Sequence, residues 1–396
     1  MLRRHRNLFS YSLECLKKYR MRTTVILIAF TVAVSMLSSV FFVKDGLERE
    51  AEMSVAMAPD ITVEYLKGGR LLLTPSSYAD AVKKIDGVEK VAPRIWGYAG
   101  ISVYTFTVIG LDLSSANVPS SVAATLAKGR FLRPSDAGTG AVVVGQLLAG
   151  MLDLDVGSSM ILLSEAIKAR KFEVVGIFSG QSSIYTADLI VMSIEDARRF
   201  FEIPEGYVTD VCVYVREDVF AEEVAAKIST LPNSRVVTRD LLLRGYKYSY
   251  ASRGGIYTTI WTILLVAVTL ISFSQAIIVG HESRFEVGLL KTFGFTTLDI
   301  IEIRLIESMT LGLFAASLGM IIGAVYSMWF NAAGLADILL GWAFLPRQFK
   351  IPVHISSPSI LAIYSATVIP LLFATVVPAW LNAITDPEIA MRRAAA

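Results

Sequence analysis

Charge is scarce in this chain, and its gaps are not random. Charged residues make up 18% of the 396 positions against 54% hydrophobic, a balance too apolar for an ordinary soluble enzyme. No Asp, Glu, Lys, Arg or His falls between Arg22 and Lys44, Arg253 and His281, Glu307 and Asp337, or His354 and Asp386. Each gap exceeds the roughly 20 residues a helix needs to cross about 30 Å of hydrocarbon. Four crossings are predicted, with some two hundred residues of soluble-looking sequence between the first and the second.

Other absences narrow the function. There is no Gly-x-x-x-x-Gly-Lys-Ser/Thr run, so nucleotide phosphates cannot be cradled in the P-loop manner, and any ATP must be bound by another subunit. Gly138, Gly140 and Gly145 have the wrong spacing for a dinucleotide loop and read as a turn. The three histidines, His5, His281 and His354, are scattered, which excludes a histidine metal centre. Asp153 and Asp155 ahead of Gly157 lack the further oxygens of a calcium loop. The two cysteines, Cys15 and Cys212, are expected on opposite sides of the membrane and imply no disulfide. A net charge of +2 without a basic face excludes a nucleic-acid binder. The spans contain no ionisable group, which disfavours a proton-coupled pump or an ion channel.

The basic residues present gather at the N-terminus. Arg3, Arg4, Arg6, Lys17, Lys18, Arg20 and Arg22 face only Glu14, and the positive-inside rule puts such a segment in the cytoplasm. Four crossings return the C-terminus, with Arg392 and Arg393, to the same side. The first apolar run is too long for a signal peptide, and Ser38-Ser39-Val40-Phe41-Phe42 is a poor cleavage site, so an uncleaved anchor is expected.

The expected layout is a cytoplasmic amphipathic entry helix over 1–22, spans at 23–43, 254–280, 305–332 and 358–382, a cytoplasmic helix and connection over 281–304, an extracytoplasmic loop over 333–357 and a cytoplasmic tail over 383–396. Residues 44–253 form the extracytoplasmic domain. Its two β-α-β halves, about 58–104 and 206–240, carry alternating apolar residues such as Ile61, Val63 and Tyr65, and Val211, Val213 and Val215. Helices are predicted from Ser76 or Ser77 through Ile85 and from Phe220 to Leu231. A mostly β subdomain is inserted over about 105–205, with strands at 105–111, 141–144, 159–163, 172–178 and 189–192. Helices are expected there at Ser121–Ala127, Gln146–Leu152 and Ser193–Phe201. The fold class is an α-helical membrane protein with four transmembrane helices plus a large extracytoplasmic α+β domain.

Within the third span, Gly312, Gly319 and Gly323 suit close helix packing, the last two as a Gly-x-x-x-Gly step. Pro370 and Pro378 are expected to bend or end the fourth. The segment between His281 and Phe295 mixes charges expected at the surface (Glu282, Arg284, Glu286, Lys291) with apolar residues at helical spacing (Phe285, Leu289, Leu290, Phe293), and breaks at Gly294. Such a helix can insert into a partner's groove; a solvated connecting helix fits the bare pattern equally.

The segment resembles the Glu-Arg-x-x-Glu-Ile-Gly-x-x-Arg/Lys-Ala-x-Gly signature of the MacB/FtsX-like permeases of ABC transporters. Glu282, Arg284, Glu286, Gly288, Lys291 and Gly294 supply it, with Ser283 where the family often has arginine and Phe293 where it often has leucine. Leu13 to Thr24, Leu305-Ile-Glu307 and the C-terminal set Pro378-Ala379, Ala383, Pro387 and Ala390-Met-Arg392 are similar to further family segments. So are Gly129-Arg-Phe-Leu132, Val142-Val-Val-Gly145 and Phe172-Glu-Val-Val-Gly176.

The resemblance implies a permease subunit, itself no enzyme, that dimerises with a second copy or a paralogue. It would bind two ABC ATPase subunits through Glu282, Arg284, Phe285, Glu286, Gly288, Leu289, Lys291 and Gly294. Their closure would move the extracytoplasmic domain, for export, extraction or transmembrane regulation. No cofactor is implied in this chain; ATP and Mg sit on the ATPase. An extracytoplasmic adaptor or substrate protein and membrane lipid are the further partners implied. The alternative is a membrane-anchored sensor or scaffold without transport, against which stands the lack of a cytoplasmic output domain. No nucleophile, base and orienting group suggest a membrane enzyme.

Overall fold

The computed structural model describes residues 2–56, 58–101, 104–113, 126–164, 167–179, 188–250, 255–282, 284–335 and 350–384. The chain divides into two compact units, one helical (within 1–47, 250–342 and 350–396) and one α/β (chiefly 48–249).

Two helices open the chain, α1 (Leu2–Lys18) and α2 (Arg20–Ala56). The α/β unit follows with β1 (Ile61–Lys67), β2 (Arg70–Leu72), β3 (Thr74–Pro75), α3 (Ser77–Lys83), β4 (Val88–Ile101), β5 (Tyr104–Leu111), β6 (Leu126–Gly129), β7 (Ala141–Gly145), α4 (Gln146–Met151), β8 (Ser159–Leu163), β9 (Ala169–Phe178), β10 (Leu189–Ser193), α5 (Ile194–Phe201), β11 (Tyr207–Val208), β12 (Asp210–Val215), α6 (Ala221–Ile228), β13 (Ser234–Thr238) and α7 (Arg239–Tyr250). The chain then returns to helix: α8 (Ile256–Glu282), α9 (Arg284–Thr292), α10 (Thr297–Trp329) and α11 (Ser357–Ile384).

In the α/β unit the sheet order is β13-β1-β12-β4-β5-β10-β7-β9-β6. Strand β4 serves both parts of the predicted split. Its first half, Val88 to Arg94, pairs antiparallel with β12, and its second half, Ile95 to Ile101, pairs antiparallel with β5. Strand β8 pairs with β9 and, through Leu163 opposite Gly100, with β4. Strands β4, β5, β10, β7, β9 and β8 therefore close into a ring, which removes their exposed edges.

Period-two alternation explains how these strands fill both faces. Val142 and Val144 of β7 and Ile190 and Met192 of β10 enter one core with Phe106, Val108, Leu162 and Phe172. Their neighbours Ala141, Val143, Leu189 and Val191 pack on the other face against Leu113, Leu132 and Phe178. Close approach of β6 and β9 requires glycine: a Cβ on Gly176 would lie 2.1 Å from the Arg130 carbonyl oxygen. At the junction within β4, Asp210, 1% exposed, accepts from Arg94 Nε at 2.9 Å, Arg94 Nη2 at 2.6 Å and Trp96 Nε1 at 2.9 Å.

The helix expected at Ser121–Ala127 is corrected only at its end. Residues 121–125 lie outside the described set, and Ala127 belongs to β6, which pairs antiparallel with β9. Helix α7 was not anticipated. Cys15 and Cys212 are both buried, and neither forms a disulfide.

In the helical unit, four helices among the described residues are long and apolar enough to cross a membrane: Arg20–Ala56, Tyr257–Val279, Thr297–Trp329 and Ser357–Leu381. All four contribute to one cluster, with Phe30 and Ala33 from α2, Val268 from α8, Ala315 from α10 and Leu371 from α11. Two helices extend beyond the expected spans: α2 continues past position 43 to Ala56, and α10 begins at Thr297, ahead of position 305. A helix of 33 residues spans about 50 Å at 1.5 Å per residue, longer than the hydrocarbon layer. Pro370 and Pro378 both lie inside α11, and neither ends it.

The glycines of α10 face its neighbours. A Cβ on Gly312 would meet Leu371 Cδ2 at 2.9 Å, one on Gly319 would meet Val34 Cβ at 2.7 Å, and one on Gly323 would meet Ser38 Oγ at 2.1 Å and the Ser35 carbonyl oxygen at 2.7 Å. Ser38 Oγ donates to the Gly319 carbonyl at 3.2 Å, and Ser39 Oγ to that of Gly323 at 3.3 Å. The Gly-x-x-x-Gly step thus packs on α2 of the same chain.

Candidate functional site

The short helix α9 is defined by its ends. Gly294 has φ of +90°, its amide donates to the Lys291 carbonyl at 3.0 Å, and the Phe295 amide reaches back to the Leu290 carbonyl at 3.1 Å. This is a Schellman stop with Gly294 at the left-handed position, completed by packing of Phe295 against the cluster containing Leu290. Thr296 then opens α10 with a capping box. Its hydroxyl accepts from the Asp299 amide at 3.3 Å, and the Asp299 carboxylate accepts from the Thr296 amide at 2.8 Å.

One face of α9 is locked inward. Val287 packs with Ile300, and Leu290 packs with Leu8 of α1 and Ile303 of α10. Polar contacts continue the lock. Glu286 Oε1 accepts from Lys18 Nζ at 2.8 Å and from the Tyr19 hydroxyl at 2.6 Å, while Arg304 Nη2 lies 3.7 Å from Glu286 Oε2. Arg304 Nη1 also donates to Glu307 Oε2 at 2.7 Å. The chain of charges runs from an exposed Lys18 to a buried Arg304 and Glu307. Helix α1 is held further by Arg4 on Asp299 at 2.5 Å, His5 on Glu302 at 2.6 Å and Ser12 Oγ on the Ile303 carbonyl.

Electrostatics favour an ionised Glu286. Burial alone would push its carboxyl up, but the hydrogen bonds from Lys18 and Tyr19 outweigh it and hold the group below the ordinary value. The Lys18 ammonium is raised, chiefly by its hydrogen bond to Glu286.

The other face of α9 stays open. Leu289 is 43% exposed and Phe293 73%, and Leu298 in the first turn of α10 is 76% exposed. Large apolar side chains left in solvent beside a locked helix form a surface suited to a partner.

The predicted site residues are therefore split. Leu289 and Phe293 are outward, Gly294 ends the helix, Gly288 is buried and Lys291 half-buried. Glu286, expected at the surface, is turned inward and paired, because α1 covers that face. Glu282, Arg284 and Phe285 lie on α8 and α9, their side chains outside the described set, as is Ser283. The family-like C-terminal residues Pro387, Ala390 and Arg392 also lie outside it. Sequence reasoning missed Tyr19, Arg304 and Leu298. Arg304 and Glu307, three apart at the start of the uncharged run, were the available signal. Among the described residues no group of His, Cys, Asp or Glu could hold a metal ion.

Comparison with known proteins places this architecture. Residues 23–231 match the MacB-like periplasmic core domain, and residues 257–387 match the FtsX-like permease C-terminal domain. An uncharacterized ABC transporter permease of Methanocaldococcus jannaschii is 23% identical over 338 residues, covering 80% of this chain and 82% of that one. The lipoprotein-releasing system transmembrane protein LolC of Xylella fastidiosa is 22% identical over 269 residues, covering 63% of this chain and 64% of its own. The crystallised periplasmic region of MacB from Actinobacillus actinomycetemcomitans aligns at 14% identity with a TM-score of 0.35, over 48% of this chain and 92% of that one. Permeases of this kind pair with a separate ATPase subunit and with a second permease. The chain belongs to the MacB/FtsX-like permease family of ABC transporters: a membrane protein of four transmembrane helices carrying a large extracytoplasmic α/β domain.

Proposed function

We propose that this permease couples ATP hydrolysis by a separate ABC ATPase to motion of its extracytoplasmic domain, in the manner of MacB-type transporters, for export, extraction or transmembrane regulation. The observation that carries the reading is the two-faced helix α9. Its inner face is tied to α1 and α10 through Glu286, Val287 and Leu290, and its outer face presents Leu289 and Phe293 beside Leu298.

A helix of this kind can receive a push on its open face and pass it to both neighbours. Each of the two ATPase subunits would dock on one permease, over Leu289, Lys291 and Phe293, with Glu282, Arg284 and Phe285 completing the contact. ATP and Mg belong to the ATPase. Both termini and α9 would be cytoplasmic, in keeping with the basic residues of α1. The second permease would be an identical copy or a paralogue. The close Gly319 and Gly323 contacts make α10 and α2 a stiff pair, suited to carrying displacement.

The test is Phe293→Asp in the assembled transporter. A charge in an apolar interface costs several kcal/mol, so ATP-dependent changes in protease accessibility of the α/β domain should vanish while membrane insertion is unchanged. Retention of those changes would remove α9 from the mechanism.

A further inference from the structure

Near the start of α10, residues of α2, α8, α10 and α11, with Leu16 of α1 and Val287 of α9, line a small cavity of about 30 Å³. Two of its lining residues carry side-chain oxygens without a hydrogen-bond partner: Gln275 Oε1 from α8 and Glu307 Oε1 from α10. Both residues are more than nine-tenths buried, Gln275 at 8% exposure and Glu307 at 4%. Leaving a buried polar atom unsatisfied costs on the order of 1–3 kcal/mol, and more for a charged group. Glu307 has already committed its other oxygen to Arg304 at 2.7 Å. The neighbouring hydroxyls are committed as well, since Ser308 and Thr375 bond each other at 2.8 Å and Thr375 lies 2.7 Å from the Leu371 carbonyl oxygen.

The occupant must be small and neutral and must donate. Arg22 and Arg304 both line the cavity, which opposes a cation, and the Glu307 carboxylate opposes an anion. The volume admits one or two molecules the size of water, and the two unsatisfied oxygens give such a molecule polar partners at both ends of an otherwise largely apolar lining. Water also serves either orientation of the Gln275 amide, donating to its oxygen or accepting from its nitrogen.

We infer that this cavity is a bound-water site, in which ordered water bridges Gln275 of α8 to Glu307 of α10 and so joins the helices on either side of α9. The joint continues the chain Lys18–Glu286–Arg304–Glu307 into the bundle. It stands on the burial and the two orphaned oxygens, whether or not α9 docks an ATPase.

The test is a structure of the full-length protein in a lipid nanodisc, at a resolution that shows ordered water. Density within about 3.2 Å of both Glu307 Oε1 and the Gln275 amide is expected. An empty cavity, or direct contact between the two side chains, would overturn the site. Gln275→Leu removes one end without placing a new polar group in the bundle. Its expected result is loss of that density with the Arg304–Glu307 pair intact; full water occupancy on Glu307 alone in this variant would overturn the bridge.

Discussion

The Tyr19 hydroxyl lies 2.6 Å from Glu286 Oε1, so the residue linking α1 to α2 is hydrogen-bonded to the first turn of α9. Lys18 meets the same oxygen at 2.8 Å. One carboxylate thus gathers the N-terminal helix, the first long helix and the short helix between α8 and α10.

This relationship has a pH signature. Glu286 is held below its ordinary carboxylate value, so its contribution is present above about pH 4.5 and is lost as pH falls through the depressed value. Lys18 is raised, so its share is complete below its ordinary value near 10.5 and is lost only above that. Labels at the exposed Ser10 and Thr292 should therefore keep a constant separation from about pH 5 to 9 and spread below about pH 4. Spreading between pH 5 and 9 would show that another of its contacts, and not Glu286, governs the position of α1.

Glu286→Ala should release α1 without dissolving the bundle. Loss of charge-assisted hydrogen bonds costs about 1.5–3 kcal/mol, and Arg304 keeps Glu307 as a partner. Hydrogen exchange over residues 2–18 should rise at least tenfold, with α10 and α11 unchanged. The rise should be largely reversed in Glu286→Gln, whose amide oxygen can still accept from Tyr19.

The glycines of α10 should rank by what their added methyl meets. Gly323→Ala places a Cβ 2.7 Å from the Ser35 carbonyl oxygen, so backbone must move, whereas Gly312→Ala meets the mobile end of Leu371. Overpacking typically costs about 1–3 kcal/mol. Gly323→Ala should sit at the upper end and Gly312→Ala at or below the lower, as read by thermal unfolding in detergent.

In the α/β domain, Arg94→Ala would strand Asp210, which is 1% exposed. Breaking a buried pair from one side costs about 3–5 kcal/mol. Limited proteolysis of the full chain should then cut within 88–101 and 210–215, while Arg94→Lys, which keeps the charge but loses the bidentate fork, should fall between that variant and wild type.

The parts of this molecule that the sequence made legible are those where the environment leaves no alternative. Lipid excludes charge, so the gaps after Arg22, Arg253, Glu307 and His354 marked the four spans. Strands with one apolar face showed their period, as in Val211, Val213 and Val215. What stayed hidden depended on which surface meets which. The charges of α9 read as a solvated face because nothing in 281–294 says that Lys18 and Tyr19, some 270 positions away, cover Glu286. The ring closure by β8 rests on one long-range pairing of Gly100 with Leu163. Leu126 to Gly129 lacks alternation, and only its partner β9 makes it a strand. Leu298 escaped notice because a capping box at Thr296 and Asp299 extends α10 beyond its uncharged run.

The most direct measurement of the central claim is affinity isolation of the full-length chain from native membranes under gentle extraction, with stoichiometric identification of co-purifying P-loop ATPases. Wild type should bring down an ABC ATPase, and Leu289→Asp/Phe293→Asp should lose it at unchanged yield of the permease. An ATPase retained equally by the double variant, or none recovered with the wild-type chain, would contradict the account.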